Sequence, residues 1–232
     1  MKQLIDEILN NDEVIKAIDQ KDWKGLRNLI YSIYSDSQAY ATIVGLCWNN
    51  DIKCLPIDDH DIMYYNTVPE NFFLNNNDLK MVKLPEGIFK LRSFSFCNSF
   101  IQHVEFPKSL DEIGGDCFNN SAIEEAILPD ELRIIKENAF NNCSKLKKVT
   151  LPNNGQFNII PANCFRDCES LKEITIPMSV KEIRSMAFAG IPNLKIKYEG
   201  RMRDFKQITM WRNSFKRGQI VSCWDGTLQM KD

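Results

Sequence analysis

Leu171-Lys172-Glu173-Ile174-Thr175-Ile176-Pro177 decides how the rest of the chain is read. Apolar residues alternate with polar ones up to a proline. This is the pattern of a short, half-buried strand that stops where the next backbone N–H is missing. The same phrase stands 25 residues earlier as Leu146-Lys147-Lys148-Val149-Thr150-Leu151-Pro152. Working back through Pro129, Pro107 and Pro85, the spacings are 23, 22 and 22 residues. One position before each proline stand Leu84, Phe106, Leu128, Leu151 and Ile176. Three before stand Val82, Val104, Ala126, Val149 and Ile174, and six before stand Leu79, Ile101, Ile123, Leu146 and Leu171.

The repeat continues past the proline. Leu91, Ile113, Ile135, Ile160 and Ile183 form one further apolar column, and Phe96, Phe118, Phe140, Phe165 and Phe188 close each unit. The phenylalanine follows the proline by eleven residues in four copies and by thirteen in the fourth, where Asn153-Asn154-Gly155 announces an inserted loop. A degraded earlier copy carries Phe73 in the closing column, with Ile52-Lys53-Cys54-Leu55-Pro56 as its candidate strand. One unit cannot bury so much apolar surface alone, so neighbours must stack into a coil with a continuous core.

The columns, read as L-x-x-I-x-L-P-x-x-L-x-x-I-x-x-x-A-F-x-x-C, resemble the BspA-type leucine-rich repeat. The end of the chain, with Leu194 to Gly200, Trp211 and Ile220 to Gly226, resembles the closing segment of that family. The resemblance implies an α/β solenoid with short parallel strands on one side and a binding role. Relatives are bacterial and protozoan, and many are surface proteins that bind host or matrix proteins.

Three segments are expected. Residues 1–51 have helical spacing, as in Leu4, Ile5, Ile8 and Leu9 or Trp23, Leu26, Leu29 and Ile30, and read as a helical N-terminal cap or a small helical module. Residues 52–191 hold about six repeats. Residues 192–232 form an aromatic C-terminal cap, with Tyr198, Phe205, Trp211, Phe215 and Trp224 available to plug the last coil.

The formal net charge of −2 predicts no general attraction to nucleic acid or anionic membrane. No window approaches the run of about 18 apolar residues that a membrane helix needs. The start Met1-Lys2-Gln3-Leu4-Ile5-Asp6-Glu7 shows no secretory leader, which points to the cytoplasm, or to the surface if a leader has been removed.

Chemistry is sparse. The two histidines, His60 and His103, are far apart, and Asp58-Asp59-His60-Asp61 reads as a solvated loop or a weak cation site. Cys117 and Cys164 occupy the small slot that Ala139 and Ala187 fill elsewhere. Cys143 and Cys168 share a column, where they pack as small apolar groups or, in an oxidising compartment, pair. Gly114-Gly115 reads as a turn. No nucleophile–base pair, phosphate loop or metal set emerges, so catalysis and cofactors are not expected.

The expected partner is another protein. Its candidate surface is the outward columns of the strands: Met81, His103, Glu125, Lys148 and Glu173, beside Lys83, Glu105, Ile127, Thr150 and Thr175. The functions this admits are an intracellular protein-binding module, an inhibitor of an enzyme or defence complex (of phage or mobile-element origin), and a surface adhesin.

Overall fold

The computed structural model describes residues 11–20, 29, 67–68, 70–77, 80–84, 86–216 and 218–230. The chain divides into two units, 1–66 and 67–232. In the first, helix α1 spans Asp12–Asp19; the side chain of Asn11 caps it by accepting hydrogen bonds from the backbone N–H groups of Glu13 and Val14 at 2.9 and 3.3 Å. The rest of the expected helical cap, the strand at 52–56 and the acidic stretch with His60 lie outside the described residues.

The second unit is a solenoid of about seven turns. Each coil has three arcs. The first arc is the strand before the proline: β2 (Met81–Lys83), β4 (His103–Glu105), β6 (Glu125–Ile127) and β8 (Lys148–Thr150) form one parallel sheet. A second sheet contains β10 (Glu173–Ile176), β12 (Lys195–Tyr198), β14 (Ile220–Cys223) and the antiparallel β15 (Gly226–Gln229). The second arc is a two-residue strand. Here β1 (Thr67–Val68), β3 (Lys90–Leu91), β5 (Glu112–Ile113) and β7 (Ile134–Ile135) form one parallel ladder. Another joins β9 (Ile159–Ile160), β11 (Glu182–Ile183) and β13 (Thr209–Met210).

The third arc carries the phenylalanines, and it holds turns in place of a helix. Around Phe96 the chain makes successive β-turns, with Ser95 N–H to Arg92 C=O, Cys97 N–H to Phe94 C=O and Ser99 N–H to Phe96 C=O. The residues two before and two after each phenylalanine are left-handed: Asn71 and Asn75, Phe94 and Asn98, Asp116 and Asn120, Asn138 and Asn142, Asn163 and Asp167, Met186 and Gly190. A left-handed residue every four positions cannot propagate a right-handed α-helix. In the described part of the second unit the only helix is one turn, α2 (Met202–Phe205). Asparagine dominates these positions because it tolerates the left-handed region best after glycine.

This geometry aims alternate N–H groups at the next coil. Phe96, Phe118, Phe140, Phe165 and Phe188 donate to Cys117, Ala139, Cys164, Ala187 and Ser214. The rings consequently stack. Phe73, Phe96, Phe118 and Phe140 have successive centroid separations of 4.9, 4.9 and 5.1 Å, and the series continues through Phe165 and Phe188 to Phe215 at 5.6, 5.8 and 5.5 Å. The first values match the 4.7–4.9 Å spacing of paired strands.

The inserted loop changes this spacing. Asn154 bonds the backbone N–H groups of Gln156 and Phe157 and donates to the carbonyls of Asp130 and Leu132 in the preceding coil. Phe157 enters the core in the column of Leu110, Leu132 and Val180. Strand β8 then pairs only backward and β9 only forward, so both strand ladders break within this coil. The phenylalanine arc does not break: Asn138, Phe140 and Asn142 still donate to Ala162, Cys164 and Arg166.

Residues 192–232 extend the coil before closing it. Ile196 and Val221 continue the inward strand column, Phe215 continues the ring stack, and β15 folds back on β14 at the edge of the sheet. Tyr198 and Phe205 are buried as a plug, in edge contact at 5.1 Å. Trp211 and Trp224, expected to join them, are instead 54% and 70% exposed, and Trp211 spends its ring N–H on Glu182 at 2.9 Å.

One other expectation needs revision. Gly114 is not a turn residue. Its N–H lies 2.7 Å from Leu91 C=O, and a Cβ there would sit 2.6 Å from the Ser93 backbone N, so two coils touch through bare backbone. Cys143 and Cys168 are free thiols, each donating to a carbonyl of the preceding coil, Phe118 at 3.0 Å and Phe140 at 3.1 Å.

Replacing Phe118 by alanine opens the middle of the stack and is expected to cost about 3–5 kcal/mol in urea unfolding. Met186→Asn relieves a left-handed methionine and is expected to stabilise by about 1 kcal/mol in the same measurement. Burial pushes the Cys117, Cys164 and Cys168 thiols well above the ordinary thiol value. The unfolded thiols ionise above about pH 8.5 while the folded ones cannot. Their stabilisation is therefore fully present below that pH and is lost as the pH climbs toward the raised folded values. The urea midpoint of the wild type is expected to fall more steeply above about pH 8.5 than that of a Cys117→Ala/Cys164→Ala variant.

Candidate functional site on the strand face

The first arc offers its alternate residues to solvent because one strand residue in two must enter the core. Val82, Val104, Ala126 and Val149 point in. Their neighbours point out in two ladders, with Met81 opposite His103, His103 opposite Glu125 and Glu125 opposite Lys148, and with Lys83 opposite Glu105 and Ile127 opposite Thr150. These eight residues are exposed and share one four-stranded sheet. Glu173 and half-buried Thr175 belong to the second sheet, where they face Lys195 and Lys197.

The structure extends the outward columns beyond those expected. Lys195, Lys197, exposed Ile220 and Ser222 continue them. The same alternation in Lys195-Ile196-Lys197-Tyr198 was the signal for this, but without a proline after it the segment read as closing structure.

Ion pairs bind parts of this face together. Lys83 meets Glu105 at 3.0 Å, Lys197 meets Glu173 at 2.6 Å, and Lys147 meets Glu124 at 2.7 Å on the flank. The Lys147 ammonium holds the exposed Glu124 carboxyl below its ordinary pKa. Such exposed pairs contribute little stability, roughly 0–1 kcal/mol each. Apolar groups stand among these charges: Met81 on β2 is 63% exposed and Ile127 on β6 is 47% exposed, with His103 and Glu105 of β4 between them and Thr150 beside Ile127.

The two-residue strands of the second arc are different. Glu112 takes both Lys90 and Lys136 at 3.0 and 3.1 Å. Burial opposes ionisation of its carboxyl, yet the two ammoniums hold its pKa below the ordinary value. Arg133 forks onto Asp111, and Glu182 is shared by Arg184 and Trp211. These charges are satisfied by one another, and Ile134 is exposed beside Arg133. Among the described residues, no three His, Cys, Asp or Glu side chains come together as a metal site, and no helix is long and apolar enough to cross a membrane.

No curated protein matches this sequence. Solved structures resemble the coil. The pneumococcal vaccine antigen PcpA is 26% identical with a TM-score of 0.54, over 68% of this chain and 39% of that one. The leucine-rich repeat protein of T. pallidum is 23% identical with a TM-score of 0.46, over 58% of this chain and 70% of that one. This chain therefore spans well under half of the pneumococcal protein's length. The BspA type leucine rich repeat region matches in six copies over residues 66–195, more than half of the 232, and with the observed coil this shows that the chain belongs to the BspA-type leucine-rich repeat family.

Proposed function

We propose that this chain is a non-catalytic protein-binding module that acts inside the cell and engages its partner through the sheet of β2, β4, β6 and β8. The observation that carries this reading is the exposure of two large apolar side chains, Met81 and Ile127, among the charges of one regular four-stranded face. A stacked coil presents such a face as an extended, rigid surface, and rigidity lowers the entropic cost of binding.

The likeness to the pneumococcal vaccine antigen favours a second reading, a surface adhesin with the same binding face. Protease treatment of intact source cells separates the two. Protection of the chain until lysis supports the intracellular reading, and digestion on intact cells supports the adhesin.

The binding face is tested by quantitative affinity capture from the source cell with wild type, a Met81→Glu/Ile127→Glu variant and an Arg133→Glu control on the second arc. Proteins captured by wild type and control are expected to drop out with the strand-face variant, since a buried unpaired charge at an interface centre costs several kcal/mol, about a hundredfold or more in affinity. Equal capture by all three chains would overturn the assignment of the face.

A further inference from the structure

The distance between the phenylalanine column and the next inward strand residue is not constant along the chain. Six positions separate Phe140 from Leu146, Phe165 from Leu171 and Phe188 from Leu194, and the same spacing links Phe73 to Leu79 in the sequence. Only five separate Phe96 from Ile101 and Phe118 from Ile123. Two adjacent coils thus cut this corner short, between neighbours that do not. The result is a notch of about 210 Å³ running across the corner.

The lining is specific in its chemistry. Ala122 leaves the middle of the notch empty, because its side chain is the smallest in that position, between Phe100 in the coil before and Ser144 in the coil after. Phe100 is 55% exposed and offers the face or edge of its ring. Gln102, Asn120 and Asn142 add primary amides. Asn142 donates to Asn120 at 3.0 Å and Asn120 to Asn98 at 2.8 Å, a ladder that orients the amides and leaves each donor nitrogen a second N–H. Lys80 and Lys145 enter from coils on opposite sides, and no carboxylate lines the notch. Neither lysine has an ion-pair partner among the described residues.

The geometry points to a ligand of one sugar ring bearing a carboxylate, such as a hexuronate or sialate residue of an acidic glycan. Two ammoniums select an anion, since Glu124, the carboxylate that feels Lys145, is taken by Lys147 at 2.7 Å and does not line the notch. The amides are both donors and acceptors, so they require a ligand that is both, as vicinal hydroxyls are. An Asp or Glu side chain of a peptide only accepts, and would leave the oxygens of Gln102 and Asn142 facing no donor. An exposed ring beside hydroxyl-binding groups suits the apolar face of a sugar. The volume is that of a single ring rather than of a drug-sized ligand.

Calorimetric titration of the full chain tests this with glucuronate, N-acetylneuraminate, a galacturonate oligosaccharide, neutral methyl glucoside and a tetraglutamate peptide. Saturable binding is expected for the sugar acids and not for methyl glucoside. Lys80→Ala/Lys145→Ala, both at exposed positions, is expected to weaken it by about tenfold or more, the scale of one charge-assisted hydrogen bond. Ala122→Phe, which fills the notch, is expected to abolish it, with thermal unfolding reporting that the variant is folded. Tighter binding of the oligosaccharide than of the free acids identifies a polymer as the source of the ring, and equal binding identifies a single residue. Absence of saturable binding to every sugar acid, binding unchanged in the lysine variant, or tighter binding of the peptide would overturn the proposal.

Discussion

Seven phenylalanine rings, each lying almost parallel on the next, set the repeat distance to which every other part of the coil conforms. A ring stack alone would tolerate slip. The left-handed residues on either side of each ring remove that freedom, because they aim alternate N–H groups of the arc at carbonyls of the next coil. Hydrogen bonds and ring contact therefore impose the same spacing on the same residues. The importance of this arc is clearest at the loop of Asn153 to Gly155. There each strand ladder separates at one interface, β7 from β9 and then β8 from β10, while the phenylalanine arc keeps its bonds at both, alongside β6–β8 pairing at the first and β9–β11 pairing at the second.

The strand columns were legible in the sequence because burial imposes a period of two and proline marks where it ends. The phenylalanine column was legible because a large aromatic leaves no substitute at a fixed core position. What went unread was the asparagine pattern. Asn75, Asn98, Asn120 and Asn142 stand two after successive phenylalanines, as regular as any apolar column. Polar residues at a repeat corner pass for solvent exposure, yet here the backbone angle selects them. With that column recognised, the third arc would have been read as linked turns rather than as the α part of an α/β unit. Phe215 was placed among capping aromatics because the residues before it lack the proline landmark, yet its stacking follows the same spacing rule.

Exposure of the candidate strand residues was also legible, since it follows from the inward columns by alternation alone. Two things were not. Lateral continuity of the face depends on whether adjacent strands pair, and the pairing ends at β8, next to the inserted loop. Which outward charges neutralise each other depends on register between coils, as with Lys83 and Glu105 or Lys197 and Glu173. Both are properties of neighbouring units rather than of any single unit.

In a repeat structure, then, distinct chemistry arises where units depart from the average. The regular positions of this chain are occupied by packing and turn formation, which leaves them little freedom to vary. Two extra residues near Asn154 divide the strand face into separate plates, and one residue fewer after Phe96 and again after Phe118 opens a notch at a corner. Each change is absorbed locally because the phenylalanine arc keeps the coils in register on both sides. A coil held so firmly along one side can alter its corners without losing its core, so its irregular corners are the places to look for what this particular member recognises.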